Sequence, residues 1–241
     1  MAELLGELKA AREQKREAKV SSADLPQSLS EAYAWILPQA SQAVAWKIGG
    51  ANPWSRAVFS NTEVFFGPLM SSELLVETAE LSLAGLHAPL AEPEMMLRLG
   101  DLGAEAPGCL FDKIGFGFEI PASVLPEPAK GELTGQIIDR AGAGALWVGG
   151  VQPFAEEWFS SDFESEFRHN DGELVGGGSR NIIGGPLGAA REFVRLAKTH
   201  GYVLKPGQWI ASGGLSPAVS VSPGDRLTFV ALGKTVQVEL V

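Results

Sequence analysis

The sequence predicts an α+β protein, with helices first and then a sheet-rich body that carries one long late helix. Three observations support this. Leu4, Leu5, Leu8 and Ala11 form an apolar stripe at helical spacing near the start of the 241-residue chain. From about residue 43 the texture changes to short apolar runs punctuated by Gly, Pro, Asn and Ser. A helical period returns only at Pro186 to His200, with proline in the first turn and Gly201 just past the end.

Taken in order, the first helix is interrupted by Ser21-Ser-Ala-Asp-Leu-Pro26. A second starts near Ser28 or Ser30, Ser28 having Glu31 at capping-box spacing, and closes at Pro38. Strands are expected at Val44–Gly49, Leu86–Leu99, Ile114–Ile120 and Ala145–Gly149. Phe163 to His169 alternates apolar and polar residues, meets Asn170-Asp-Gly172 and continues into Glu173-Leu-Val175, a hairpin signal. The late helix presents Leu187, Ala190, Val194 and Ala197 on one face. The tail reads as strands at Gln208–Ala211, Ala218–Val221 and between Arg226 and Leu240, joined by Pro-Gly and Gly turns. Residues 1–85 are read as a helical region with the first strand and 86–241 as the body, or the whole as one continuous domain.

A hydrophobic content of 45% is enough to build a core without disulfides, and the one cysteine, Cys109, has no internal partner. A reducing cytoplasm is the expectation. The formal net charge of −10 argues against nucleic acid and anionic membrane surfaces as partners. No apolar run is long enough to span a bilayer, and the charged first residues are unlike the core of a secretory leader.

The chemistry centres on Glu92 and Glu94, one residue apart inside Ala88-Pro-Leu-Ala-Glu-Pro-Glu-Met-Met-Leu-Arg-Leu99. On a strand, positions i and i+2 share a face, so the two carboxylates project together. Like charges in apolar surroundings are costly unless a metal or proton neutralises them. Glu119 sits in a second apolar run, Ile114-Gly-Phe-Gly-Phe-Glu-Ile-Pro121. Three carboxylates without neighbouring Cys or His point to a hard cation such as Mg²⁺. The competing reading is an exposed strand face.

Lys47, between Trp46 and Ile48, is either a snorkelling lysine or one that orients a carboxylate or moves protons. Gly176 to Gly185 is glycine-rich but lacks the spacing of a nucleotide loop. Ser212-Gly-Gly-Leu-Ser216 is either an ordinary turn or a close backbone approach to a ligand. His87, His169 and His200 are scattered: His200 sits at a helix C-terminus where it suits the dipole, His169 is read as exposed beside the hairpin turn, and His87, near the glutamate pair, as structural.

In order along the chain, Lys47 in Trp-Lys-Ile-Gly, the Glu92/Glu94 pair, Glu119, Asp139-Arg-Ala-Gly-Ala-Gly144, Gly184 to Ala190, Pro206 to Gly214 and Pro223-Gly-Asp225 resemble one known family. It is the 2-keto-4-pentenoate hydratase and 4-oxalocrotonate decarboxylase family, of the fumarylacetoacetate hydrolase superfamily. The resemblance runs over nearly the whole chain and is weakest between about Gly50 and Ala84.

The resemblance implies a mixed β-sandwich roll, like the fumarylacetoacetate hydrolase C-terminal domain, behind an N-terminal helical region. It also implies a homo-oligomer, with the option of a complex with a related family enzyme. Mg²⁺ or Mn²⁺ would be held by Glu92, Glu94 and Glu119, and a short 2-oxo acid would be the substrate. Lys47 and Asp139 would be catalytic, Asp139 as a proton shuttle, and Leu69, Ser212 and Gly213 would contact the substrate. The implied activity is a hydratase acting through a metal-stabilised enolate; a decarboxylase, a C–C hydrolase or a non-catalytic partner subunit on the same scaffold are the alternatives. The chain departs from the family pattern at Phe65, at Leu90 and Ala91, at Arg140 to Gly142, at Leu125 to Gly131 and at Gly185-Pro186. These departures fall where a substrate pocket would be written.

Overall fold

The computed structural model describes residues 1–101 and 110–241; Cys109, on which the reducing-compartment expectation rests, lies outside the described residues. The chain opens with helix α1 (Ala2–Glu13), whose Leu4, Leu8 and Ala11 are buried as the stripe predicts. Helix α2 (Leu29–Ile36) is capped by Ser28, whose Oγ accepts from the Glu31 amide at 3.2 Å, while Glu31 accepts from the Gln27 amide at 2.9 Å. Strand β1 (Ala45–Gly49) follows, then helix α3 (Pro53–Phe59) and strands β2 (Phe65–Leu69), β3 (Leu74–Val76) and β4 (Glu80–Leu81). No sequence pattern predicts an element between β1 and β5 (Leu90–Leu99), yet one α-helix and three strands lie there. After β6 (Phe111–Pro121) come helix α4 (Leu133–Ile138), also unexpected, and β7 (Ala143–Pro153). Strands β8 (Glu164–His169) and β9 (Val175–Gly178) form the expected hairpin, and α5 (Gly185–Thr199) is the expected late helix. Strands β10 (Trp209–Gly214), β11 (Val219–Ser220), β12 (Arg226–Ala231) and β13 (Lys234–Leu240) complete the fold.

The strands form two sheets. The larger runs β2-β1-β10-β5-β6-β7-β3 with β11 on β5, and the smaller runs β4-β13-β12-β8-β9. They pack face to face through aromatic side chains: Phe118 lies 5.8 Å from Phe167 and 6.2 Å from Phe229, and Phe116 lies 6.3 Å from Phe229, between ring centroids. This is the α+β sandwich that the sequence class anticipates. The division at residue 85 does not separate two cores, because β1, β2 and β3 are strands of the large sheet and one buried cluster runs from Leu4 to Leu240.

The packing of β1 sets the direction of Lys47. Trp46 and Ile48 are buried, and Trp46 meets Phe66 at 6.0 Å and Phe193 of α5 at 5.4 Å between ring centroids. Each such aromatic contact is worth about 0.5–1.5 kcal/mol beyond area burial. With those two residues pinned to the helix side, alternation turns Lys47 to the opposite face.

Candidate active site

Strands β5 and β6 are antiparallel neighbours, with Glu92 opposite Glu119 and Glu94 opposite Gly117. Alternation sends Ala91, Met95, Leu97, Phe116 and Phe118 into the main core. The same alternation sends Glu92, Glu94 and Glu119 to the other face, and one oxygen from each lies within 4.8 Å of the other two. The shared face predicted for Glu92 and Glu94 is therefore present, and the exposed-strand alternative fails because Glu94 and Glu119 are wholly buried.

Two contacts hold the carboxylates. Lys47 Nζ donates to Glu119 Oε2 at 2.7 Å, and the Gly213 amide donates to Glu94 Oε2 at 2.7 Å. The second oxygens, Glu94 Oε1 and Glu119 Oε1, are buried with no hydrogen-bond partner. Unpaired buried acceptors of this kind are expensive. Burial first, then the neighbouring Glu92 and Glu119 carboxylates, push Glu94 well above the ordinary carboxylate range despite the Gly213 amide and Lys47. Burial likewise raises Glu119 to about 8, with Glu92 adding to the rise and Lys47 opposing it. Burial alone would depress the Lys47 ammonium, but Glu119, Glu92 and Glu94 outweigh it and the net shift is upward. Two buried carboxylates with unpartnered oxygens beside a third carboxylate are a donor set that a hard divalent cation fits.

Lys47 and the half-buried Glu92 line a cavity of about 120 Å³, whose other walls include Asn52, Trp54, Phe59, Phe65, Gln136 and Ala141. Two larger concavities, of about 810 and 820 Å³, lie elsewhere on the surface and touch none of the three glutamates. Charge chemistry, not size, marks the small one.

One wall is a left-handed turn. Arg140, Ala141 and Gly142 have φ of 56°, 58° and 69°, a conformation that costs roughly 1–2 kcal/mol for each non-glycine residue. A side chain at Gly67, the β2 partner of Lys47, would place its Cβ 1.9 Å from the Arg140 carbonyl oxygen, so only glycine lets the turn sit there. The turn is braced from both sides. Arg140 forms two 2.8 Å hydrogen bonds to Glu73, and Arg12 of α1 donates to the Asp139 carboxylate at 2.6 Å and to the Asp139 and Ala143 carbonyls.

The remaining expected site residues lie outside the cavity lining among the described residues. Asp139 does not line the cavity; its carboxylate accepts from Arg12, Ser123 and the Val124 amide, which ties it to α1. Ser212 is fully buried and its hydroxyl donates to the Met95 carbonyl at 2.7 Å. The Gly213 amide serves Glu94 and is not free for a substrate carboxylate. Gly213 has φ of 110°, and an added Cβ would meet the Ala51 Cβ at 2.7 Å. Leu69 shares the face of Lys47, two residues beyond Gly67, but is buried in a separate apolar cluster with Met96, Leu146 and Trp209. His87 contacts the Lys15 carbonyl and takes no part.

The sequence reading missed Asn52, α3 and Gln136. Asn52-Pro53 is a helix-start signal that could have located α3. The Asn52 amide nitrogen donates to the Asn181 and Gly214 carbonyls at 2.7 and 2.8 Å, tying α3 to β10 beside the glutamates.

No family model matches the chain. It is 26% identical over 189 residues to the 2-keto-4-pentenoate hydratase of Paraburkholderia xenovorans (strain LB400), covering 76% of this chain and 70% of that protein. The match to 2-keto-4-pentenoate hydratase 3 of Pseudomonas putida has the same identity and extent. Among solved structures, the 4-oxalocrotonate decarboxylase of Pseudomonas putida G7, complexed with magnesium and adipate, superposes with a TM-score of 0.84 at 19% identity over 99% of this chain and 96% of that one. The fumarylpyruvate hydrolase of Pseudomonas aeruginosa, in complex with Mn²⁺ and pyruvate, gives a TM-score of 0.59 at 14% identity over 82% and 88% of the two chains. These structural likenesses establish the fold.

Proposed function

The chain is a relative of the 2-keto-4-pentenoate hydratases, built on the fold of 4-oxalocrotonate decarboxylase, and from that premise we propose that it is a divalent-metal-dependent hydro-lyase. It adds water to a short unsaturated 2-oxo acid derived from a 2-hydroxydienoate. The observation that carries the reading is the cluster of Glu92, Glu94 and Glu119 with two buried, unpartnered oxygens.

Mg²⁺ or Mn²⁺ is the cofactor, and the three glutamates would hold it. Bound there, the cation supplies Lewis acidity that stabilises negative charge developing on the 2-oxygen of the substrate. Lys47 holds Glu119 in place with one of its three donors and keeps the others for an anionic substrate end. Lys47 and Glu92 are the titratable side chains lining the cavity among the described residues, and Glu92 is a metal ligand. Lys47, held as an ammonium by the neighbouring carboxylates, is the group placed to donate the proton of ketonisation. Trp54, Phe59 and Phe65 restrict access of bulk water to the same space.

A decarboxylase is the second reading, favoured by the fold likeness to 4-oxalocrotonate decarboxylase. The same charge on the 2-oxygen would then develop as CO₂ leaves. Incubation with a panel of 2-hydroxydienoates and Mg²⁺, scoring hydrated product against CO₂, separates the two. Full turnover in excess EDTA would sink both.

The finer expectations belong to the same proposal. A homo-oligomer, alone or with a related family enzyme, is supported by the family resemblance and is tested by light scattering of the purified protein. A cytoplasmic site is supported by the single cysteine in the chain. No helix among the described residues is long and apolar enough to cross a membrane.

A further inference from the structure

We propose that Arg12, on the N-terminal helix, is a positioning residue for the reaction. It grips the left-handed turn Arg140–Gly142 that walls the cavity, and so sets how firmly the chain of a substrate is held. The inference rests on the metal-site reading and adds to it a residue that does not itself line the cavity.

An arginine in the last turn of an amphipathic helix ordinarily reaches into solvent. The Arg12 side chain is only 19% exposed, and it spans the turn from end to end. Nη2 donates to the Asp139 carbonyl and carboxylate at 2.7 and 2.6 Å, before the turn. Nη1 donates to the Ala143 carbonyl at 2.8 Å, after it. Burial of Leu4, Leu8 and Ala11 fixes the approach of α1, and with it the direction of the guanidinium.

The turn needs such a grip. Arg140 and Ala141 are consecutive non-glycine residues at positive φ, a conformation that persists only where neighbours over-determine it. Helix α4 runs straight into the turn, so the same clamp fixes Gln136 as well as Ala141, and both line the cavity with Lys47 and Glu92. Glu73 completes the frame from the other side by accepting from both Nη groups of Arg140.

The reacting groups are held by other elements. Lys47 and the three glutamates stand on β1, β5 and β6. A slack turn therefore loosens the wall and leaves the chemical groups in place. Binding common to the ground and transition states is then lost, which raises KM and spares kcat.

Two substitutions separate this role from simple stability. Arg12→Lys keeps a cation for the Asp139 carboxylate, but one ammonium cannot fork to carbonyls at both ends of the turn. Asp139→Asn does the reverse: it removes the charge partner and leaves both carbonyls to Arg12.

The test uses the full chain loaded with Mg²⁺. Arg12→Lys should weaken calorimetric binding of 2-oxopentanoate about tenfold or more. KM for 2-hydroxypenta-2,4-dienoate should rise in step, with kcat within about threefold of wild type. Oxalate, which has no chain beyond its two carboxylates, should bind this variant as tightly as wild type. Asp139→Asn should lose more Tm than Arg12→Lys and less 2-oxopentanoate affinity. Glu73→Gln, at a half-buried position, should reproduce the KM effect and keeps the test alive if Arg12→Lys does not fold. Affinity for 2-oxopentanoate that simply follows Tm across the variants would overturn the positioning role, as would wild-type affinity in Arg12→Lys or an equal loss of oxalate binding. Each of those results leaves the metal reading intact so long as wild-type protein binds oxalate in a Mg²⁺-dependent manner. Absence of that binding in the wild type would overturn the metal reading and this inference with it.

Discussion

Lys47 reaches across the sheet to Glu119: its ammonium donates at 2.7 Å to a carboxylate three strands away, with β10 and β5 between them. Both groups are buried, so neither is replaceable by solvent.

Lys47→Met should therefore do two things. It strips Glu119 of its charge partner, which for a buried pair costs about 3–5 kcal/mol when the carboxylate stays ionised. It also removes the one ammonium in the cavity, and turnover should fall about a hundredfold or more. Denaturant titration above pH 8 and steady-state kinetics check both, and wild-type values in each would remove Lys47 from the site.

Glu94→Gln should weaken Mg²⁺ binding by about a hundredfold or more. The metal-free protein should melt no lower than wild type, because a buried like charge has been taken away. Calorimetric metal titration beside thermal melts in EDTA reads the two effects separately. A variant with unaltered metal affinity would mean that the cluster is not the binding site.

The metal-free protein should lose stability as pH rises. Glu119 titrates at about 8 in the fold against 4.5 for the ordinary group, so between those values the folded chain keeps a proton that the unfolded chain has released. This contribution is fully present below about pH 4.5 and fades as pH climbs to about 8. A divalent cation replaces that proton, so the rise in Tm on adding Mg²⁺ should grow from pH 5 to pH 8. Comparison with Glu119→Gln isolates the effect; identical pH profiles for the two proteins in EDTA would contradict it.

Asp139→Asn should lower stability by about 3 kcal/mol or more, since it leaves the guanidinium of Arg12 without its charge partner. Assayed where the variant is still folded, kcat should change by less than about tenfold, with the shape of its pH profile preserved. A collapsed kcat at wild-type Tm would restore the proton-shuttle role that the family resemblance implies.

Neighbouring positions on β10 should respond differently. Ser212→Ala removes one hydrogen bond, to the Met95 carbonyl, and should cost about 1 kcal/mol with KM unchanged. Gly213→Ala forces a Cβ against Ala51 and displaces the amide that holds Glu94, so metal affinity should fall along with stability. Equal behaviour of the two variants would argue against this division of labour.

Much of the site could be read from the chain alone because part of its geometry is local. Strand alternation puts Glu92 and Glu94 on one face whatever surrounds them, and the apolar residues between and after them show that the opposite face is buried. Helix caps and turn residues located α2, α5 and the β8–β9 hairpin for the same reason, since their signals lie within a few residues of the element. The elements between β1 and β5 escaped because they are short; β3 and β4 are held by pairing with β7 and β13, which no local pattern specifies.

By itself, then, the sequence determined the class of fold, the carboxylate trio and the lysine that accompanies it. Tertiary structure alone decided which groups those residues serve. The β5–β6 register set Glu119 opposite Glu92, and β1 brought in Lys47 from across two intervening strands. Asp139, which motif order suggested as catalytic, was claimed by Arg12 from 127 residues earlier, and Ser212 by a strand neighbour. A buried polar group binds whichever partner packing delivers, and that partner is fixed by long-range register and not by the residues beside it in the chain.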